Sequence, residues 1–143
     1  MPSAWIDVPS PADFPSTLAF ELAPVTWVPE RFAHVFVDGS GGKHSSCDVL
    51  RRCGWGVVRV ELSSTTGQFA PVKAHCGVVC GSLQTVPRAE LCAIIVALTE
   101  YADVCVRIYS DHLNIVKRIN AKPVSTWARG ANSDLWVRIA ELW

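Results

Sequence analysis

The apolar stretch Phe32-Ala33-His34-Val35-Phe36-Val37 is continuous rather than alternating, and it stops abruptly at Asp38 and the turn Gly39-Ser40-Gly41-Gly42. Such a pattern predicts a central strand, buried on both faces, that delivers a carboxylate to the edge of a sheet. The glycines permit a backbone that side chains would obstruct. Strand composition returns at 54–62 and at 69–80, separated by a turn at 63–68, while a polar loop at 43–52 precedes the second strand. Three strands joined in this way predict an antiparallel meander.

The period changes at Thr85, which can cap a helix, with Pro87 suited to its first turn and Leu91, Ile94, Ile95 and Leu98 at helical spacing up to about Tyr101. Residues 104–109 read as a fourth strand that again ends in an acid, Ser110-Asp111. A helix over about 112–120 follows, with Leu113, Val116 and Ile119 for its buried side. After a loop at 121–131, Asn132 or Ser133 caps a last helix over 134–143. Three strands, helix, strand, helix, helix is an α/β order of the α+β kind, a mixed sheet with helical crossovers.

Residues 1–31 hold six of the nine prolines and no sustained period. They read as a linker or arm, with Trp5, Phe14 or Trp27 as anchors, ahead of one domain over 32–143. A chain of 143 residues, half of them hydrophobic and six of them Trp, is long enough to bury a real core. Net charge is zero, yet Asp7, Asp13, Glu21 and Glu30 face only Arg31 in the arm, which leaves the rest mildly basic. That balance permits contact with phosphates without demanding it.

The start lacks a basic segment followed by an apolar core, and the longest apolar run, 91–98, is too short for a bilayer. The expectation is a soluble intracellular chain, cytoplasmic or nuclear, without membrane contact. Cys76, Cys80, Cys92 and Cys105 lie in apolar stretches and read as buried reduced thiols. Zinc could draw on His44, Cys47 and Cys53, or on His75, Cys76 and Cys80, but no paired C-x-x-C supports it.

Three acids occupy special places: Asp38 and Asp111 at strand ends, and Glu90 in the first turn of the long helix. If the fourth strand lies parallel beside the first, both carboxyl ends meet at one sheet edge, where open α/β sheets place ligands. Ordinary explanations exist, since Glu90 suits a helix N-terminus and Asp111 can cap the next helix. Convergence is what they leave unexplained. Carboxylates gathered together repel unless cations screen them, and hard oxygen donors suit Mg²⁺ or Mn²⁺.

The chain resembles the ribonuclease H family over about residues 32–143, through Val35-Phe36-Val37-Asp38-Gly39-Ser40, Gly54-Trp55-Gly56-Val57-Val58, Arg88-Ala89-Glu90-Leu91, Tyr109-Ser110-Asp111 and Asn132-Ser133-Asp134-Leu135-Trp136. The resemblance implies the ribonuclease H fold and a metal-dependent endonuclease that cleaves the RNA strand of RNA–DNA hybrids. Asp38, Glu90 and Asp111 take the places of three of the family's metal-binding carboxylates. Gly39, Ser40, and Gln84 or Thr85 are the nucleic-acid contacts this implies, while Lys117, Arg118, Lys122, Trp127 and Arg129 read either as phosphate contacts or as a solvated basic loop. The Pro-rich lead-in is compatible with a piece of a retroelement polyprotein.

Departures shape the expectations. Where the family has an Asn-bearing turn before the helix, only Gln84 or Thr85 offers a polar side chain, and 121–131 is too short for a basic handle. The family's fifth strand, catalytic-loop histidine and last helix with a fourth carboxylate have no counterpart before Trp143, which reads as a C-terminal truncation. Asp134 is read as structural. The expectation is a nuclease of reduced or absent activity, alternatively a non-catalytic nucleic-acid-binding remnant, with self-association through an uncovered sheet edge.

Overall fold

A strand carrying Asp38 sits inside the sheet, between an antiparallel neighbour and a parallel one. The computed structural model describes residues 18–21, 32–121 and 124–143. Its strands are β1 (Leu18–Glu21), β2 (Ala33–Ser40), β3 (Gly54–Leu62), β4 (Phe69–Val78) and β5 (Val106–Tyr109), in sheet order β1-β4-β3-β2-β5. All neighbouring pairs are antiparallel except β2 with β5, which runs parallel, the condition under which both acid-ended strands meet at one edge. The helices are α1 (Val86–Glu100), α2 (Leu113–Ala121) and α3 (Ser133–Leu142), with a short 3-10 turn at Val124–Thr126.

Strand β1 falls within the stretch read as an arm and pairs with β4, Leu18 opposite Cys76 and Glu21 opposite Lys73. Four residues are too few to show a period, which is why the pattern did not mark them. Trp5, Phe14 and Trp27 lie outside the described residues.

The core lies on one face of the sheet. Val35 and Val37 of β2, with Trp55 and Val57 of β3, pack against Ala89, Leu91, Ala93, Ile94, Ala97 and Leu98 of α1. On β2 the expectation of burial on both faces is corrected: Val35 is fully buried, whereas Phe36 is 49% exposed on the other face. Trp127, Trp136 and Ile139 extend the core to α3, with the Trp127 and Trp136 rings 5.8 Å apart.

Helix α1 begins where its chemistry predicts. Thr85 is the N-cap, its hydroxyl accepting from the Arg88 N–H, and proline occupies the first turn. On α2 the expected buried side is corrected in part: Ile115 is buried and Leu113 is 59% exposed, while Val116 and Ile119 are half-buried as expected. Asn132 caps α3 in the left-handed conformation, which Asn tolerates, without a side-chain cap bond. Its side chain accepts instead from Arg88.

All six cysteines are free. The expectation of burial is corrected for four of them: Cys80 and Cys105 are exposed and Cys76 and Cys92 half-buried, whereas Cys53 is buried and its thiol pushed up by that burial. Cys80 lies past the end of β4 and Cys105 before the start of β5, outside the pleat that would cover them. Among the described residues no helix is long and apolar enough to cross a membrane.

Candidate metal centre

Asp38 is the sixth residue of β2, so alternation places it on the open face with Phe36, and register sets it opposite Gly56. A Cβ at Gly56 would meet nothing, so the space beside Asp38 is clear. Parallel pairing of β2 with β5 brings Asp111, two residues past Tyr109, to the same sheet edge. Glu90 comes from the opposite layer, in the first turns of α1.

The three carboxylates converge. Asp38, Glu90 and Asp111 each offer an oxygen within 4.8 Å of the others, and they form the one His/Cys/Asp/Glu group among the described residues close enough to share an ion. The two proposed zinc groupings are therefore not assembled. Asp38 and Asp111 are exposed, while Glu90 is 1% exposed.

Glu90 is held at both oxygens. Gly39 donates its backbone N–H to Oε1 at 2.9 Å, and the Ser110 hydroxyl donates to Oε2 at 3.3 Å. Ser110 in turn accepts from the His112 N–H at 3.1 Å, which fixes the turn that presents Asp111. Burial pushes the Glu90 carboxyl above its usual range; the bonds from Gly39 and Ser110 oppose this, and the charges of Asp38 and Asp111 add to it.

Close approach of β2 to α1 makes this possible. A Cβ on Gly39 would lie 2.7 Å from the Glu90 backbone nitrogen and 3.0 Å from its Cγ, so glycine is required there. These donors fit a divalent cation: three hard oxygens, two of them solvent-facing and one rigid, with an excess of negative charge.

The remaining expected contacts divide sharply. Ser40, Lys117 and Arg129 are exposed and Gly39 is partly so, but Gly39 spends its N–H on Glu90. Gln84 is 7% exposed, and its amide is consumed within the fold, accepting from the Cys53 N–H at 2.8 Å and donating to the carbonyls of Val79 and Gly81. Its reading as a nucleic-acid contact is corrected to a clamp joining the start of β3 to the end of β4. Trp127 is likewise corrected: at 1% exposure it is core, with Trp136 and Trp143 around it. Arg118 lies 4.3 Å over the Trp136 ring and donates to the carbonyls of Trp127 and Arg129. Thr85 spends its hydroxyl on the helix cap, and Lys122 lies outside the described residues.

Asp134 stands apart from the cluster. Both of its oxygens accept from Arg88, at 3.0 and 2.6 Å, tying α3 to α1. Two roles escaped sequence reasoning, those of Ser110 and Arg88. Both residues sit inside recognised motifs, and a polar residue directly before a strand-end acid was the available signal for Ser110.

No family model matches the sequence, and no curated protein matches it. Solved structures do. The solution structure of the foamy virus (PFV) RNase H domain aligns over 77% of this chain and 70% of its own, at 16% identity and a TM-score of 0.57. The prototype foamy virus protease–reverse transcriptase aligns over 85% of this chain but 18% of its own, at 15% identity and a TM-score of 0.61; a foamy viral protease–reverse transcriptase in complex with dsDNA also matches, at 16% identity and 0.55. LC9-RNase H1, a type 1 RNase H with the type 2 active-site motif, aligns over 80% of this chain and 59% of its own, at 19% identity and 0.56. The chain thus spans under a fifth of the crystallised viral enzyme. These likenesses show the fold: the described residues, a mixed sheet with crossing helices, adopt an RNase H-like fold.

Proposed function

We propose that this chain is a metal-dependent endonuclease hydrolysing the RNA strand of RNA–DNA hybrids, with Asp38, Glu90 and Asp111 as ligands for Mg²⁺ or Mn²⁺. The observation that carries the reading is the convergence of three carboxylate oxygens within 4.8 Å at the carboxyl ends of two parallel strands. Fold likeness to RNase H domains, and to a foamy viral enzyme solved with dsDNA, supports nucleic acid as the partner and suits a retroelement source.

Each residue has a separable task. Asp38 and Asp111 present solvent-facing oxygens across the groove, and Glu90 supplies a third from below. Gly39 and Ser110 hold Glu90 so that its oxygens cannot swing away. Held by Asp38, Glu90 and Asp111, a divalent ion would supply Lewis-acid stabilisation of a phosphate and of an activated water. Ser40, Lys117 and Arg129 are the exposed polar and basic groups left to meet the backbone.

A second reading, a nucleic-acid-binding module without cleavage, is favoured by one observation: among the described residues the cluster holds three carboxylates, and Asp134 is bound to Arg88 instead of joining them. A labelled RNA–DNA hybrid with Mg²⁺ or Mn²⁺ separates the two. The nuclease reading expects cleavage by the wild type and at least a hundredfold loss, on the order of that for other preorganised charged groups, in Asp38→Asn. Equal cleavage by both proteins removes the assignment, and binding without cleavage selects the second reading.

A further inference from the structure

Two cysteines from different elements face one groove. Cys80 lies two residues past the end of β4, and Cys92 is the seventh residue of α1. Both line a groove between sheet and helix, with Trp55 and Val78 on the sheet side and Arg88 and Ile95 on the helix side. The backbone on either side of Cys80 is held by the Gln84 amide, which donates to the Val79 carbonyl at 2.8 Å and to the Gly81 carbonyl at 2.7 Å. Cys92 follows Arg88 by one helical turn, and Arg88 is fixed by its paired bonds to Asp134. Neither thiol is therefore on a segment without anchorage.

Exposure separates the two. Cys80 is open to solvent and Cys92 is half-buried. Burial pushes the Cys92 thiol up, the Arg88 guanidinium draws it down, and Cys80 is near enough for its charge to push it up further, as does that of Asp134. Attack on a disulfide is made by a thiolate that the disulfide can reach, so the open Cys80 reacts ahead of the covered Cys92. A solitary exposed thiol would stop at the mixed disulfide. Here a second thiol waits in the same groove.

We propose that Cys80 and Cys92 form a thiol–disulfide exchange site for low-molecular-weight disulfides such as glutathione disulfide, with Cys80 as the attacking thiol and Cys92 as the resolving one. The Cys80 thiolate attacks one sulfur of glutathione disulfide, breaking its S–S bond, forming a mixed disulfide and releasing one glutathione, which takes up the proton that Cys80 gave up. Cys92 then loses its proton and attacks the Cys80 sulfur, expelling the second glutathione, which takes that proton. Two protein thiols are oxidised to one disulfide while one glutathione disulfide is reduced to two glutathione thiols. The bridge joins the end of β4 to α1 across the segment that holds the Gln84 clamp and the Thr85 cap. The site stands independently of the nuclease reading.

The test treats the full chain with glutathione disulfide, quenches it with acid, blocks the remaining thiols with N-ethylmaleimide and maps tryptic peptides by mass spectrometry. The wild type is expected to yield peptides 74–88 and 89–107 joined within the monomer, lighter than their sum by two hydrogens and separated by dithiothreitol. Because Cys76 and Cys105 share those peptides, variants assign the bond: the joined pair is expected to be lost in Cys80→Ser and in Cys92→Ser and to persist in Cys76→Ser and Cys105→Ser. Cys92→Ser is expected instead to keep glutathione on Cys80, since the resolving thiol is gone, and Cys92→Ala repeats the assay should the hydroxyl disturb α1. No joined peptides in the wild type, a joined pair that survives in Cys80→Ser or Cys92→Ser, or joining only between two chains overturns the proposal.

Discussion

Glu90 and Gly39 are the residues on which the centre's geometry turns. Burying a carboxylate between two others is unfavourable unless its oxygens are bonded and its charge is met, and Gly39 supplies the bond only because no Cβ stands between β2 and α1. Gly39→Ala is expected to push β2 off α1, costing about 1–3 kcal/mol, in the range of other overpacked sites, and moving Glu90 out of reach of Asp38 and Asp111. Chemical denaturation together with loss of metal binding checks this; a stable variant with unchanged metal affinity contradicts it. Gln84 makes the complementary point. Since its amide joins Cys53 to Val79 and Gly81, Gln84→Ala is expected to cost about 2 kcal/mol or more by orphaning buried backbone groups, a loss visible in urea unfolding without nucleic acid. The acids were legible one by one because each broke an apolar run. Gln84 and Trp127 were misread because a polar or aromatic side chain in a loop looks alike in sequence whether it faces inward or outward.

Among elements, α1 does most of the positioning. Thr85 starts it, Ala89, Ala93 and Ala97 let it lie close to the sheet, and Arg88 reaches across to α3. Donation by Arg88 holds the Asp134 carboxyl below its usual range against a smaller opposing effect of burial. A carboxylate whose folded pKa is depressed stabilises the fold above its unfolded value and loses that contribution as pH falls through the folded one. Asp134→Asn is therefore expected to cost about 0.5–1 kcal/mol at neutral pH, modest because the carboxylate is largely exposed, and progressively less as the pH drops below about 4. Parallel denaturation curves at pH 7 and pH 3 decide this; a cost that does not shrink at pH 3 contradicts it. The strands and helices were readable from period and caps, β3 to its terminal residues. Strand β1 was too short to carry a period, and Leu113 at the start of α2 is apolar yet exposed, which no local pattern records.

For the whole molecule, sheet order is what converts separate strand-end acids into one centre. Placing β5 parallel to β2 aligns their carboxyl ends, and crossing back through α1 brings Glu90 beneath them. Fold likeness at 15–19% identity reaches the same architecture from outside. Sequence reasoning could reach the acid edge because parallel pairing follows from helical crossovers, but not the exposure of Phe36, since a continuous apolar run reads as doubly buried. The most direct test of the centre is Mn²⁺ titration followed by calorimetry on the wild type, Asp38→Asn and Asp111→Asn. Saturable binding by the wild type, weakened at least tenfold, about 1.4 kcal/mol, in each variant is the predicted result, whereas equal affinity in all three proteins would show that these carboxylates do not hold a common ion.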